Sequence, residues 1–478
     1  MLLSGGINKL EDGFGFADQQ IISEVKKATE IGYEINPFNL TAGVAPLRAE
    51  VVEQTLKTIT YTEDHFRFFR EVPKNKALSN VVQYIKLYGY GQSDNLFLPA
   101  GENPLYEDHA DFARGISYVK YLGNLRIVNH VATLVQTHIM DVIAAENMAG
   151  SRHIARQLET ALFWGNSKLG PNGSEWYEFD GLYNQVEAVF DLAGEPLTEP
   201  AVNDIVQVVL DNYGFPNRLY LPPVVYSDLM KQIMGAQRVF LPTKEGGYSI
   251  GAPIDVIRTQ GGPIGVVPIF FLGKGDFRGP LKTPPLAATH TNAATAPASV
   301  SVALNTTANG AEWNKLRVDS ASVKYRVTAV NRYGESAPVE SSAVALTSAD
   351  LGKSINLTIT NAASLTNPPS YFNIYRSDNG GTFYWVKSIP TASVVSNGTT
   401  SWSDKNEQMP GYYTAFLGEF NNNVLEFLQL MPLTQVPLAQ IQPAIRWLLL
   451  MYATFVVYAP KKIVTVRNIG RIDNSTIV

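Results

Sequence analysis

Not one cysteine occurs in the 478 residues, which excludes structural disulfides, thiolate metal sites and cysteine nucleophiles together. Histidine is scarce as well: His65, His109, His130, His138, His153 and His290 never form the close i, i+4 pair of a metal-binding helix. His138 with Asp141 comes nearest, and a partly exposed polar helix face accounts for that pair better than a metal does. The chain has no G-x-x-x-x-G-K-S phosphate loop and no G-x-S-x-G nucleophile elbow. Gly246-Gly247 and Gly261-Gly262 lack a following helix to aim amides at a phosphate, so both read as turns. Glu146, Glu159 and Glu178 show no pairing that would support general acid–base work. The expectation is a protein that is not an enzyme, with no catalytic residue, no cofactor and no metal.

Positive charge is in deficit too, with 38 Lys and Arg against 43 Asp and Glu and a formal net charge of -5. A dedicated nucleic-acid binder needs a basic surface to displace counterions, so that class is disfavoured, while mere adjacency to nucleic acid is not. Long apolar runs are also missing. The most apolar one, Trp447 to Ala459, lies between Arg446 and Lys461-Lys462 and is too short to cross a bilayer as a helix, so it reads as core. The opening MLLSGGINKLEDGFGF has no basic region and is not expected to be a secretory leader. What remains is 45% hydrophobic and 17% charged, a globular composition, in a chain long enough for two or three domains.

The stretch from Thr133 to Asn166 organises the rest. Thr133 with Gln136 forms a capping box, and Gly165-Asn166 supplies residues suited to a left-handed helix stop. Val135, Ile139, Val142 and Ile143 make an apolar stripe that Ile154, Leu158, Ala161 and Leu162 resume, with Gly150 a candidate bend between them. One continuous helix here would run about 46 Å, longer than one compact domain needs.

Before it, residues 1–60 read as an arm with modest helices over Asp18 to Thr29 and Pro46 to Thr58. Phe66, Arg67, Phe68, Phe69 and Arg70 interleave aromatic and basic groups, as single-strand binders do, but one such cluster in an acidic chain fits an interface or core edge better. Asn80 to Tyr88 and Gly115 to Val128 are strand-like and are expected to pair, with a turn-rich segment from Gly89 to Arg114 between them. A two-stranded ribbon with arms of about 30 Å is at best marginally stable alone, so a neighbouring copy is its natural support. The subunit-interface candidates are Arg67, Arg70, Tyr84, Lys86, Tyr88, Asp94, Phe97, Glu107 and Arg114.

After the long helix, Thr198 caps a helix with Pro200 in its first turn and Val202, Ile205, Val206, Val209 and Leu210 on its buried face, stopped by Gly214. A strand Arg218 to Leu221, a helix Val224 to Met234 and strands near Ile254 to Arg258 and Gly265 to Phe271 complete an α+β unit. Composition then shifts to threonine, serine, alanine and asparagine. Ser322 to Pro338 alternates Val323, Tyr325, Val327 and Ala329 before a turn at Gly334, and Tyr371 to Ile389 repeats the style around Gly380-Gly381. Both stretches resemble fibronectin type III or immunoglobulin-like repeats. Pro284-Pro285 and Pro410-Gly411 bound this insertion, whose flexible connections Ala287 to Pro297 and Asp404 to Gly411 are expected to make it dispensable for folding of the rest. The chain closes with a central strand, Ala444 to Tyr458, turned by Pro460-Lys461-Lys462 into Ile463 to Ile469, a hairpin expected beneath the long helix.

The order of these pieces resembles the major capsid proteins of tailed bacteriophages, the Hong Kong 97 phage-type fold. The likeness is to those of Twort-like contractile-tailed phages, carried by LRAE at Leu47 to Glu50, FDGL at Phe179 to Leu182, IYRS at Ile374 to Ser377, PLAQI at Pro437 to Ile441 and APKK at Ala459 to Lys462. The resemblance implies an N-terminal arm (1–60), an extended hairpin loop (61–132), a spine helix of a peripheral domain (133–178), an axial domain (179–284 and 412–443), an inserted all-β sandwich (285–411) and closing peripheral strands (444–478). It further implies hexameric and pentameric capsomers in a virion shell around double-stranded DNA, assembled in the host cytoplasm, with scaffold, portal and decoration proteins as partners. Two rivals share parts of the pattern. An encapsulin-like compartment is disfavoured by the insertion, and an extracellular glycan-active enzyme by the return of the first composition after it.

Overall fold

A computed structural model describes residues 61–91, 97, 109–134, 141–236, 240–242, 248–250, 255–273, 275, 278–313, 321–440 and 442–472. All of them lie in one compact unit. Expectations for the arm, including its two helices and the LRAE motif, fall outside the described residues.

In chain order the first elements are α1 (Arg67–Glu71), β1 (Lys74–Lys76), β2 (Val81–Gly89), β3 (Asp111–Tyr118), β4 (Lys120–Asn129), α2 (His130–Leu134) and α3 (Val142–Trp164). Then follow α4 (Leu182–Gln185), β5 (Ala188–Asp191), α5 (Glu199–Asp211), β6 (Arg218–Leu221), α6 (Pro223–Ala236), β7 (Phe240–Pro242), β8 (Tyr248–Ile250), β9 (Val256–Thr259) and β10 (Gly262–Pro268). Residues 285–411 hold β11 (Ser299–Leu304), β12 (Ala321–Val330), β13 (Val339–Glu340), β14 (Val344–Leu346), β15 (Ile355–Thr360), β16 (Tyr371–Asp378), β17 (Tyr384–Pro390) and β18 (Thr399–Asp404). The chain ends with β19 (Tyr413–Gly418), β20 (Leu425–Pro437), β21 (Ala444–Val457) and β22 (Ile463–Ile469).

Outside residues 285–411 the two larger sheets are β1-β20-β21-β4 and a mixed six-stranded sheet in the order β5-β22-β19-β6-β10-β9, beside the two-stranded β2-β3 and β7-β8. β21 is central, as its two apolar faces require, paired antiparallel to β20 on one side and β4 on the other. Its odd-numbered residues Trp447, Leu449, Met451, Ala453 and Phe455 are buried in the clusters that contain Ile154, Leu158 and Leu162 of α3. β21 and β22 are not a hairpin, however. The turn at Pro460–Lys462 hands the chain to the other sheet, where β22 lies between β5 and β19. Likewise β19 belongs to the six-stranded sheet and β20 to the four-stranded one, so residues 412–443 serve both.

The long helix is shorter than its pattern suggests. Asp141 has extended backbone angles, φ -58° and ψ 135°, so α3 begins at Val142 and runs for 23 residues, about 34 Å. Thr133 lies in the separate α2, with Oγ1 donating to the His130 carbonyl, and Gln136 lies outside the described residues. Gly150 makes no break in α3. Its hydrogen is needed for contact, since a Cβ there would sit 2.5 Å from Leu449 Cδ1. Nor is Gly165 left-handed, at φ -54°. A Cβ on Gly165 would lie 2.3 Å from the Phe179 carbonyl oxygen, and Gly181 N–H donates to the Gly165 carbonyl at 2.9 Å, so helix end and FDGL segment meet backbone to backbone. Asp180 tightens the junction by accepting from Ser167 N–H at 2.7 Å and Ser167 Oγ at 2.9 Å.

α5 forms as its sequence dictates: Thr198 Oγ1 accepts from Ala201 N–H, and Val202, Ile205, Val206 and Val209 are buried. Residues 285–411 fold as a three-stranded sheet, β11-β15-β18, and a second sheet, β13-β12-β16-β17 with β14 on β12. Their shared core contains Val323, Tyr325, Val327 and Ala329, the alternating set of the sequence pattern, with Ile355, Leu357, Ile359 and Trp313. The connections are not flexible tethers. Thr289 N–H donates to the Glu335 carbonyl, Ala293 and Ala294 are buried, Asn406 is wholly buried, and Met409 N–H donates to Asn468 Oδ1 of β22 at 2.7 Å. Polar side chains that read as loop composition instead satisfy a packed junction.

Glu159 of α3 is fully buried, and its carboxylate accepts from Phe68 N–H at 3.0 Å and Phe69 N–H at 2.8 Å, pinning α1 to the helix. Burial, opposed by those two amides, pushes its carboxyl from an ordinary 4.5 up to about 7. Because the folded value is the raised one, the Glu159 contribution to stability is fully present below about 4.5 and is lost as pH rises through about 7, by roughly 3 kcal/mol. Glu159→Gln is expected to flatten that part of the stability–pH curve, measured by urea denaturation at pH 4.5 and pH 7. An unchanged slope would contradict the assignment.

Candidate assembly surface

The ribbon of β2 and β3 pairs antiparallel from Val81↔Tyr118 to Gly89↔Asp111. The sequence pattern placed the whole of 115–128 in this pairing, but the chain breaks at Val119, which is buried, and β4 leaves to become an edge of the four-stranded sheet. Val119 N–H donating to the Asn80 carbonyl fixes the break. Strand alternation then sorts the ribbon's side chains onto two faces.

One face rests on the protein itself. Val82 and Tyr84 pack on the cluster of Ala77, Val119, Leu428 and Val456, and Ser117 Oγ lies 2.7 Å from Thr454 Oγ1 of β21. Tyr84 meets Tyr458 edge-on at 5.2 Å between ring centres. Its ring crosses Gly115, where a Cβ would sit 2.3 Å away, so glycine is the residue that lets the ring lie across the ribbon. Burial raises the Tyr84 hydroxyl above its usual range.

The other face points to solvent and is apolar. Directly opposed pairs put Leu87 against Phe112, Ile85 against Arg114, Gln83 against Ile116 and Val81 against Tyr118. Ile85 is 75% exposed and Phe112 68%, with Leu87, Ile116 and Tyr118 also exposed. A second open apolar strip lies nearby on the outer side of the four-stranded sheet, where Tyr121, Leu125 and Ile127 of β4 are exposed beside half-buried Leu448 and Leu450 of β21. Exposed apolar residues aligned on one strand face are a candidate interaction surface.

The residues singled out from sequence distribute unevenly. Tyr84 and Lys86 lie on the inward face, Lys86 with its ammonium 5.6 Å from the Tyr84 ring centre. Arg114 is on the outward face, bonded to Gln83, and Tyr88 and Phe97 are exposed. Asp94 and Glu107 lie outside the described residues. Arg67 sits over the Phe270 ring at 5.7 Å and Arg70 donates to the Glu63 carbonyl, while Phe66 and Phe68 are buried, a core edge within this chain. Ile85, Leu87, Phe112, Ile116 and Tyr118 were missed, although their i, i+2 spacing in two opposed strands was the available signal. No group of three or more His, Asp or Glu suited to a metal occurs among the described residues. His138 lies outside them, and Glu146 pairs with Arg126 at 3.0 Å.

A family model for the SU10 major capsid protein matches residues 126–276, from β4 through β10. The major capsid protein of Staphylococcus phage S25-3 is 27% identical over 473 residues, 95% of this chain and 96% of that one. That of Staphylococcus phage K matches at the same identity and coverage. Among solved structures, a chain of Mycobacterium phage Ogopogo aligns at 13% identity and TM-score 0.43, covering 89% of this chain and 99% of that one. The holo-SrpI encapsulin complex of Synechococcus elongatus PCC 7942 aligns at 9% and 0.43, covering 90% and 96%, a likeness too slight to separate one kind of shell from the other.

Proposed function

We propose, from a kinship with tailed-phage major capsid proteins that runs nearly the whole chain, that this protein is a structural subunit of a phage head shell and not an enzyme. The observation that carries the reading is the ribbon with one face anchored on its own sheet and the other, apolar, left for a neighbour. In the assembled virion the outward ribbon face covers an adjacent copy, and copies gather as hexamers and pentamers around double-stranded DNA. The shell forms in the host cytoplasm, with scaffold, portal and decoration proteins as partners. The acidic balance suits a wall that encloses DNA without reading it, since reading would need base contacts backed by positive charge.

Burying an exposed isoleucine is worth about 1.5–3 kcal/mol per copy. Ile85→Lys removes that gain and places an ammonium in the contact, so the concentration needed for assembly should rise at least about tenfold while the subunit's thermal unfolding stays the same. Sedimentation velocity over a concentration series reads this out. Assembly at the wild-type concentration would sink the proposed contact.

A further inference from the structure

We propose that the pocket at the seam between the inserted sheets and the C-terminal end of α3 binds a carboxylate anion with a flat apolar body. The pocket encloses about 180 Å³. Trp164 and Tyr183 from the host part and Trp385 from β17 form its aromatic walls, and Arg278, Lys282 and Lys387 supply positive charge. Trp385 lies 6.3 Å from Trp164 and 6.2 Å from Tyr183 between ring centres, at 68° and 66°, so the rings make a corner rather than a closed stack.

Among the described residues, no aspartate or glutamate lines the pocket. Arg278 is held by the Glu178 carboxylate and Lys282 by Glu335 at 2.6 Å, both acids standing outside the lining. Lys387 has no carboxylate partner among the described residues. Trp164 Nε1–H is buried and has no acceptor among them either, although nearly all buried donors in folded proteins find one. Behind Tyr183, Arg467 lies 4.7 Å from the ring centre and adds further positive charge. A lining with surplus donors, net positive charge and ring faces calls for an acceptor that is negative at one end and apolar at the other. A carboxylate on a flat apolar body meets both demands, whereas inorganic phosphate would leave the rings unused.

Isothermal titration calorimetry of the full-length unassembled protein with sodium benzoate, benzamide and inorganic phosphate tests this. Benzoate should bind saturably, with benzamide and phosphate at least tenfold weaker. Lys387→Ala, at an exposed position, should weaken benzoate at least tenfold without shifting thermal unfolding, and Trp385→Leu should weaken it independently. Repeating the titration on assembled particles separates two sources of the same chemistry. Retained binding marks a free small molecule, and binding lost on assembly marks an acidic side chain beside an aromatic ring donated by a second copy. No saturable benzoate binding, equal affinity for benzamide or phosphate, or an unchanged Lys387→Ala variant would overturn the proposal.

Discussion

Deleting residues 91–107 is expected to leave a folded subunit that forms no closed shell. The deletion removes the turn-rich span joining β2 to β3 but neither strand, and the strands keep their own anchors: eight paired positions with each other, Val82 and Tyr84 on the Val456 cluster, and the Ser117–Thr454 contact. Far-ultraviolet circular dichroism and the cooperativity of unfolding should therefore match the wild type. Assembly should not, because any contact of a few kcal/mol that residues 91–107 make with a neighbour is lost from every copy at once, and shell formation multiplies that loss. Normal particles from this deletion would show that residues 91–107 are not needed for assembly.

The second large effect is expected from Glu335→Ala. Glu335 is buried and its carboxylate accepts from Thr328 Oγ1 and Tyr375 OH, each at 2.5 Å, from Asn373 Nδ2 at 3.1 Å, and from Lys282 Nζ at 2.6 Å. Three of these donors belong to the inserted sheets and Lys282 to the host part, so one carboxylate holds the seam together. Alanine leaves an ammonium and several donors without an acceptor, which costs about 3–5 kcal/mol. Although burial alone would raise the Glu335 carboxyl, Lys282 and the hydroxyl donors hold it below the usual carboxylate range. A lowered folded value means this contribution is present above the ordinary carboxylate pKa and is lost as pH falls through the folded one. Chemical denaturation should show an early transition for the variant, and the wild type should approach it only in acid. A variant as stable as the wild type at neutral pH would contradict the role given to the seam.

Local patterns were legible where one element answers to its own residues. The Thr198 cap and most of the apolar spacing of α5, the alternation of β12 and the double-faced apolarity of β21 appear as their sequences require, while α5 ends at Asn212 with Tyr213 left-handed rather than at Gly214, and Leu210 is half-buried. The misses arose where a distant segment decided the outcome. Gly165 does cap the helix, but without the left-handed turn its sequence suggests, because the Phe179 carbonyl packs against it, and Gly115 reads as a strand start, yet it makes room for the Tyr84 ring. The break at Val119 depends on Asn80, and the parting of β21 from β22 depends on which sheet edges await them. For the assembly surface, sequence pointed to the ribbon but favoured charged and phenolic residues. Placing the strands face by face puts Tyr84 and Lys86 on the inward face and leaves Ile85 and Phe112 exposed to solvent.

Cryo-electron microscopy of the purified wild-type protein, concentrated to promote assembly, tests the central claim most directly. The account predicts closed shells in which the Ile85–Phe112 face of each ribbon is covered by a neighbouring copy. Monomers at every concentration, or shells in which that face remains open to solvent, would contradict it.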